Sequence, residues 1–326
     1  MVRTFLLSLA RSAPLSLAIL EAAAAASAST QTKKLAFRVV LAPNEPLFER
    51  AFVDDLRAKF PALLPEKSSF VDLSKPKEIA EAMEACDGVI LSSSPPESAR
   101  GSPLMVEYES NVVDAAKQMG LSHVLKVSCA QGLLGEHSSV ETGRAHWAVE
   151  QQIRGSRASF DGNVAFVRPT MLMDTFLHGR MLEMVCGRTL SVSVKSGRVA
   201  FVHPMDVAEA VVKLAWDPSD HESIAELNVT GPEALTYAQV ADKFSAGLGQ
   251  RVRFSYFPLW AVQTALWIKG VRPDEIASDI SMANALEGGA EAQVTDTVKE
   301  LLGKEPRSLD VFIQENKDKW PLMSYK

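Results

Sequence analysis

Apolar positions along this chain fall into short runs separated by amphipathic stretches. Residues 2–8, 35–41, 69–73, 88–92, 124–128 and 164–167 read as strands, several of them apolar without interruption, as strands covered on both faces are. Between them, apolar residues recur at helical spacing over 15–26, 48–60, 76–85, 106–119 and 145–153. Strands alternating with helices predict an α/β protein built on a doubly wound parallel sheet. After Arg168-Pro169 the texture changes. A stretch rich in Met and Phe over 171–184 leads to a predicted hairpin around 195–197, then a helix over 206–216 and a strand over 226–229. Gly231-Pro232 precedes a helix opened by Thr236, and from Arg251 onward the chain reads as helical, with Trp260 and Trp267 at helical spacing and Gly288-Gly289 as a break. The pattern divides the chain into a domain over 1–170, completed by about 200–231, and a smaller, mainly helical region over 171–199 and 232–326.

The first 34 residues admit two readings. They are basic, rich in Ala and Ser and carry only Glu21 as an acid, which is the composition of a transit peptide. The same residues also supply a buried strand and an Ala-rich helix with Pro14 at its start, and without them the alternation lacks its opening βα unit. Strand counting favours the second. Composition narrows the function classes. The 326 residues, 47% apolar, suffice for a large core, and a formal charge of −6 with scattered Lys and Arg gives no footprint for nucleic acid. Cys86, Cys129 and Cys186 lack the spacing of a disulfide framework or a metal site, so a reducing, cytoplasmic setting and no metal are expected. No apolar run is long enough to span a bilayer.

The second half carries the most specific signals. Residues 198–208 (RVAFVHPMDVA), 228–237 (NVTGPEALTY) and 248–252 (LGQRV) resemble the NmrA-like branch of the short-chain dehydrogenase/reductase superfamily, and 69–96 is similar to that family's third and fourth strands. The closing run from Gly303 to Trp320 is similar to that of festuclavine synthases, the fungal ergot-alkaloid reductases of this group. The resemblance covers nearly the whole chain. It implies a Rossmann-like fold, a dinucleotide loop after the first strand, and a hydrophobic small-molecule substrate of the kind met in fungal secondary metabolism.

That loop departs from the family's pattern. A glycine-rich turn lets backbone N–H groups approach a pyrophosphate at a helix N-terminus. Here the stretch is Ser8-Leu9-Ala10-Arg11-Ser12-Ala13-Pro14, and the first glycine of the chain is Gly88. Each lost charge-assisted hydrogen bond is worth roughly 1.5–3 kcal/mol, so losing two costs about two to four decades of affinity. Arg11 and Ser12 are the residues left to contact a phosphate. After the second strand, Leu41-Ala42-Pro43-Asn44-Glu45 offers no basic residue for a 2′-phosphate. No cofactor, or weak NAD(P)H binding, is therefore expected.

The Tyr-x-x-x-Lys pair of ordinary short-chain dehydrogenases is absent. His146-Trp147-Ala148-Val149-Glu150 stands in its place, resembling the His-x-x-x-Glu of several NmrA-like reductases, and Ser128 ends the fifth strand as the family's serine does. His146 and Glu150 fall one turn apart on one helix face, which suggests a proton-transferring imidazole oriented by a carboxylate. In doubly wound folds the site lies beyond the carboxyl ends of the strands. That rule adds Ser94, Pro95, Gln131, Met171, Met173 and Phe176 as pocket candidates, with a polar segment over 136–144 to cover them and His137 and Arg144 as secondary candidates. Simpler roles compete for some residues: Asp206 as a helix N-cap, Arg168 as a structural residue of the sheet edge, and the Met-rich stripe as core. Together these observations predict a biosynthetic enzyme that has dropped hydride transfer and carries out cyclisation, isomerisation or elimination. An NAD(P)H-dependent reductase of an iminium or conjugated carbonyl, and a non-catalytic regulator, are the alternatives.

Overall fold

In the computed structural model, the structure describes residues 2–9, 14–29, 34–41, 55, 56, 58–64, 71–92, 101–216 and 224–321. They form two compact units. Unit 1 comprises residues 1–128, 145–168 and 207–227, and unit 2 comprises 129–144, 169–206 and 228–326.

Unit 1 is built on a six-stranded sheet of β1 (Val2–Leu9), β2 (Lys34–Leu41), β3 (Gly88–Leu91), β4 (His123–Val127), β5 (Val164–Pro169) and β8 (Ala225–Val229), in the order β2-β1-β3-β4-β5-β8. The pairs β1–β2, β1–β3, β3–β4 and β4–β5 are all parallel. The opening residues thus form an interior strand, with Phe5 opposite Phe37 on one side and Gly88 on the other. Gly88 is required by that closeness: a Cβ there would lie 2.6 Å from the His123 carbonyl and 2.8 Å from the Phe5 ring. One sheet face is covered by α2 (Pro76–Met83), α3 (Gly101–Gln118) and α4 (Glu141–Gly155), whose Ile79, Met83, Val112, Val113, Val149 and Ile153 pack with Leu6, Val89, Leu91, Val124 and Phe166. Each such side chain removed from water contributes about 1.5–3 kcal/mol. The Ala-rich helix α1 (Pro14–Ser29) buries Leu15, Ile19, Leu20 and Ala23.

The strand expected at 69–73 does not form over its described part, residues 71–73. Asp72 accepts hydrogen bonds from the Ser74 N–H at 2.9 Å and the Ser74 hydroxyl at 2.6 Å, and its carbonyl accepts from Lys75 N, so a local turn takes up the backbone groups a strand would need. Of the helix expected at 48–60, residues 55, 56, 58 and 59 are helical, and the stretch 42–54 lies outside the described residues.

Unit 2 holds α5 (Gly179–Cys186), α7 (Tyr237–Leu248), α8 (Leu259–Ile268), α9 (Pro273–Glu287), α10 (Thr297–Leu302) and α11 (Leu309–Glu315); α6 (Pro204–Trp216) begins here and continues into unit 1. Phe176, Phe201, Phe244 and Trp320 meet in tilted and edge-to-face contacts in its core, and the Trp320 indole donates to the Phe176 carbonyl at 2.8 Å. Thr236 opens α7 in a reciprocal capping box with Gln239, as its sequence suggests, and Gly249 closes it in the left-handed conformation.

Two expectations fail in this unit. The residues around 195–197 turn the chain, yet they do not join a hairpin: β6 (Thr189–Val192) pairs in parallel with β10 (Arg253–Tyr256), and β7 (Arg198–Val199) pairs antiparallel with β9 (Leu235–Thr236). The turn is fixed from outside, because the Glu287 carboxylate accepts from the N–H groups of Lys195, Ser196 and Gly197 and from the Ser196 hydroxyl. Those donors, the Ser196 hydroxyl first, hold the Glu287 pKa down to about 2. Asp206 is likewise not an N-cap, since α6 starts at Pro204. Its buried carboxylate instead accepts from the Arg307 N–H at 2.7 Å and binds the Arg307 guanidinium, tying the helix start to the segment before α11.

Candidate active site

In unit 1 the strand order reverses between β1 and β3, and in parallel sheets a ligand crevice opens at the carboxyl ends of such a pair. Helix α1 begins just after the end of β1, has no acid in its first turn, and is tied to the end of β3 by Ser16 Oγ, 3.2 Å from Ser92 Oγ. A helix N-terminus with no acid in its first turn, at a switch point, suits an anionic group such as a pyrophosphate. Arg11, Ser12, Ser94 and Pro95 lie outside the described residues.

The carboxyl end of β4 carries Ser128, whose N–H donates to Val167 O and whose buried Oγ has no partner among the described residues. His146, on α4, is also buried, and its Nδ1 has none. Burial first, and the Lys126 charge second, hold its pKa well below the ordinary imidazole value. The ring is thus neutral at physiological pH. A buried, neutral ring is a poorer base than the proton-transferring imidazole expected from the His146–Glu150 spacing.

Glu150 does not orient His146. Its two carboxylate oxygens accept from Arg168 Nε at 3.1 Å and NH2 at 2.6 Å in a fork, with both residues buried, and Arg168 NH1 reaches Glu226 at 2.7 Å. Arg154 closes the network on Glu226 at 2.6 Å. Arg168 is a structural residue, on β5 rather than on the edge strand. The sequence reading missed Lys126: its side chain is fully buried on β4 and its Nζ lies 3.0 Å from the equally buried Glu109 of α3.

Unit 2 contains a cavity of about 660 Å³, the size of a small-molecule site. Its walls are mainly apolar, with Thr175, Ser191, Ser193, Arg180, Lys269 and Asp279 as the polar part of the lining besides Tyr237. Met171, Met181 and Met184 line one side, Val192 and Val194 another, and Val262, Leu266 and Ile280 of α8 and α9 a third. Of the pocket candidates, Met171 lines this cavity, Met173 and Phe176 are buried in the core of unit 2, and Gln131 is exposed on a turn. The Met-rich stripe therefore divides between cavity wall and core. Two buried carboxyls of this unit were also missed. Burial raises Asp174 to about 6 and Glu291 to about 7, and Glu291 accepts from the Met171 N–H at 2.9 Å. Neither has a sequence signal beyond an acid among apolar neighbours.

Comparison with known proteins bears on the chemistry. The model of the NmrA-like family matches residues 70–313. An uncharacterised oxidoreductase, YesF of Bacillus subtilis, is 34% identical over 47% of this chain and 54% of its own length. An NAD(P)H azoreductase of Xenophilus azovorans is 27% identical over 74% of this chain and 79% of its own, and festuclavine synthase I of Penicillium roqueforti is 24% identical over 67% and 71%. The chain matches about half the length of the first of these relatives. Among solved structures, triphenylmethane reductase of Citrobacter sp. complexed with NADP(H) superposes with a TM-score of 0.71 at 17% identity, over 95% of this chain and 99% of its own. The NADPH complex of the Escherichia coli quinone oxidoreductase QOR2 gives 0.72 at 16%, over 97% and 99%.

These matches overturn the expectation of a cofactor-independent cyclase or isomerase. YesF, the azoreductase, triphenylmethane reductase and QOR2 are each named as an oxidoreductase or reductase, and the last two were solved as dinucleotide complexes. The structural likeness establishes the doubly wound fold, and the match over 70–313 establishes descent: this chain belongs to the NmrA-like family.

Proposed function

We propose that the protein is an NAD(P)H-dependent reductase of a hydrophobic small molecule, binding its dinucleotide weakly. The observation that carries this reading is membership of the NmrA-like family together with a helix N-terminus, free of acids, at the strand switch point. The N–H groups of the first turn of α1 would hold the pyrophosphate, with Pro14 at the helix start contributing none. The dinucleotide, when bound, supplies the hydride. The chain's own contribution is positioning. Ser128 and the neutral His146 of unit 1 offer hydrogen bonds to a polar atom that gains electron density; unit 2, taken by itself, has a mainly apolar cavity of small-molecule size.

Cofactor binding is tested by thermal unfolding with added dinucleotide. With a Kd near 100 μM, about 1 mM NADPH adds roughly 1.4 kcal/mol through RT ln(1 + [L]/Kd), a rise of a few degrees in Tm. No rise with either NADPH or NADH at that concentration would overturn the reductase reading. His146→Phe should lower turnover by about two decades while changing Tm little, since a positioned proton-transferring or hydrogen-bonding group contributes about 10²- to 10⁴-fold. Steady-state rates and melting curves on one preparation separate this from packing: lost stability with unchanged turnover in the folded fraction would make His146 structural.

A further inference from the structure

The cavity of unit 2 has walls that are partly open to solvent and a floor that is not. Of its lining residues only Val194, Tyr237 and Leu286 are buried, and Tyr237 alone among these three carries a polar tip. Thr175, Ser191 and Ser193 also line the cavity but are partly exposed, and Lys269 is exposed, so these polar groups are open to solvent. Arg180 and Asp279, at the rim, neutralise each other in an ion pair.

The Tyr237 hydroxyl has no such outlet. Tyr237 is 4% exposed, and the hydroxyl's hydrogen-bond partner among the described residues is the thioether of Met171, 3.9 Å away. Buried phenols nearly always bond an oxygen or nitrogen, and a thioether is a weak acceptor. Met171 lines the same cavity, so the donor sits at its inner surface. The ring itself is fixed, packed edge-on against Phe201 with centroids 5.9 Å apart, at the first position of a capped helix. Burial first, and the Glu291 carboxyl second, push the phenol's pKa above its ordinary value, so the group remains an O–H donor throughout the working pH range.

We propose that Tyr237 is a specificity-determining residue: its hydroxyl is the donor by which this cavity recognises a ligand with an apolar body and one neutral acceptor oxygen, a ketone carbonyl foremost. The apolar wall binds the body, and the single donor on the floor distinguishes a carbonyl compound from the matching hydrocarbon. Sites built to hydrogen-bond a ligand discriminate strongly against an analogue that leaves the buried group unpaired. The proposal rests on the reductase reading only for the idea that the bound compound is a substrate.

The test compares 1-tetralone with tetralin, which share a carbon frame and differ in the carbonyl, by isothermal titration of the full chain and of Tyr237→Phe without any dinucleotide. Tetralone is expected to bind the unsubstituted chain roughly five- to ten-fold more tightly than it binds Tyr237→Phe, with tetralin bound equally by both. Equal tetralone affinity in the two proteins, a parallel loss of tetralin binding, or no binding of tetralone to the unsubstituted chain would each overturn the assignment. Melting curves keep the comparison valid, because Phe retains the packing against Phe201 and removes a poorly paired donor, so the variant should melt no lower. Since NADPH is absent throughout, failure here leaves the reductase reading standing, and failure of that reading in the dinucleotide melt leaves this one.

Discussion

Glu109→Gln is expected to lower the stability of the protein by about 3–5 kcal/mol, the cost of leaving one partner of a buried ion pair uncompensated. Lys126 and Glu109 are 0% and 1% exposed, with Nζ 3.0 Å and 3.2 Å from the two carboxylate oxygens. After the substitution the ammonium keeps the Val127 carbonyl but loses its counter-charge inside an apolar core of β4, α3 and α4. It must then stay charged at high cost, give up its proton, or admit water. Replacing both partners by apolar residues of similar shape, Glu109→Leu with Lys126→Met, should recover most of the loss, because desolvating the pair offsets much of its attraction. Urea unfolding of the single and double variants decides the matter, and a loss under about 1 kcal/mol for Glu109→Gln would show the pair to be hydrated. The double variant has a second readout. Lys126 is one of two causes that depress His146, so removing it should raise the His146 pKa, measurable by NMR titration, while burial still keeps it below the ordinary value.

The second large effect concerns pH. Burial raises Glu291 from an ordinary 4.5 to about 7, so the folded protein holds a proton there that the unfolded chain releases. Between pH 4.5 and 7 the folded state therefore binds more protons than the unfolded one, and this group makes stability fall as pH rises, levelling off above pH 7. A shift of that size corresponds to about 3 kcal/mol. Glu291→Gln keeps an acceptor for the Met171 N–H but cannot ionise. Relative to the unsubstituted chain, its stability should improve by about 3 kcal/mol on going from pH 4.5 to pH 8, whatever the absolute cost of the amide. Asp174, raised to about 6, titrates in both proteins and cancels from the difference. Parallel stability curves across this range would mean that Glu291 is ionised in the folded state.

Most of the fold was legible because its strands and helices differ in period. The runs that became β1, β3 and β4 are uninterrupted or nearly so, and the Thr236 capping box and the Gly288-Gly289 break mark helix ends by local chemistry alone. The failures came where a distant residue decides. Whether β6 finds β7 or β10 depends on sequence positions sixty residues apart, and Asp206 serves Arg307, about a hundred residues later. The site was less legible. The buried pair did leave a trace: Lys126 shares a strand face with Val124, and Glu109 sits four residues after buried Met105 and three before buried Val112, so opposite charges occupy core positions on two neighbouring elements. Glu291, in a segment with no periodicity, left none. What misled was the step from the loop to lost hydride transfer: a stretch without glycine bears on how weakly a dinucleotide binds, and loss of glycine in the sequence does not by itself abolish a helix N-terminus.

Helix α8 is apolar on every side, yet none of its residues is buried; Val262 and Leu266 face the cavity while Trp260, Trp267 and Ile268 are about 70% exposed. Little apolar surface is therefore surrendered when this wall is pushed aside, in contrast to the floor, where Tyr237, Val194 and Leu286 are locked into the core. A ligand too wide for 660 Å³ works against one lightly seated helix rather than against close-packed side chains. The chamber is rigid where it reads polarity and compliant where it measures size, so this chain should be tolerant of bulk and strict about the placement of a single oxygen.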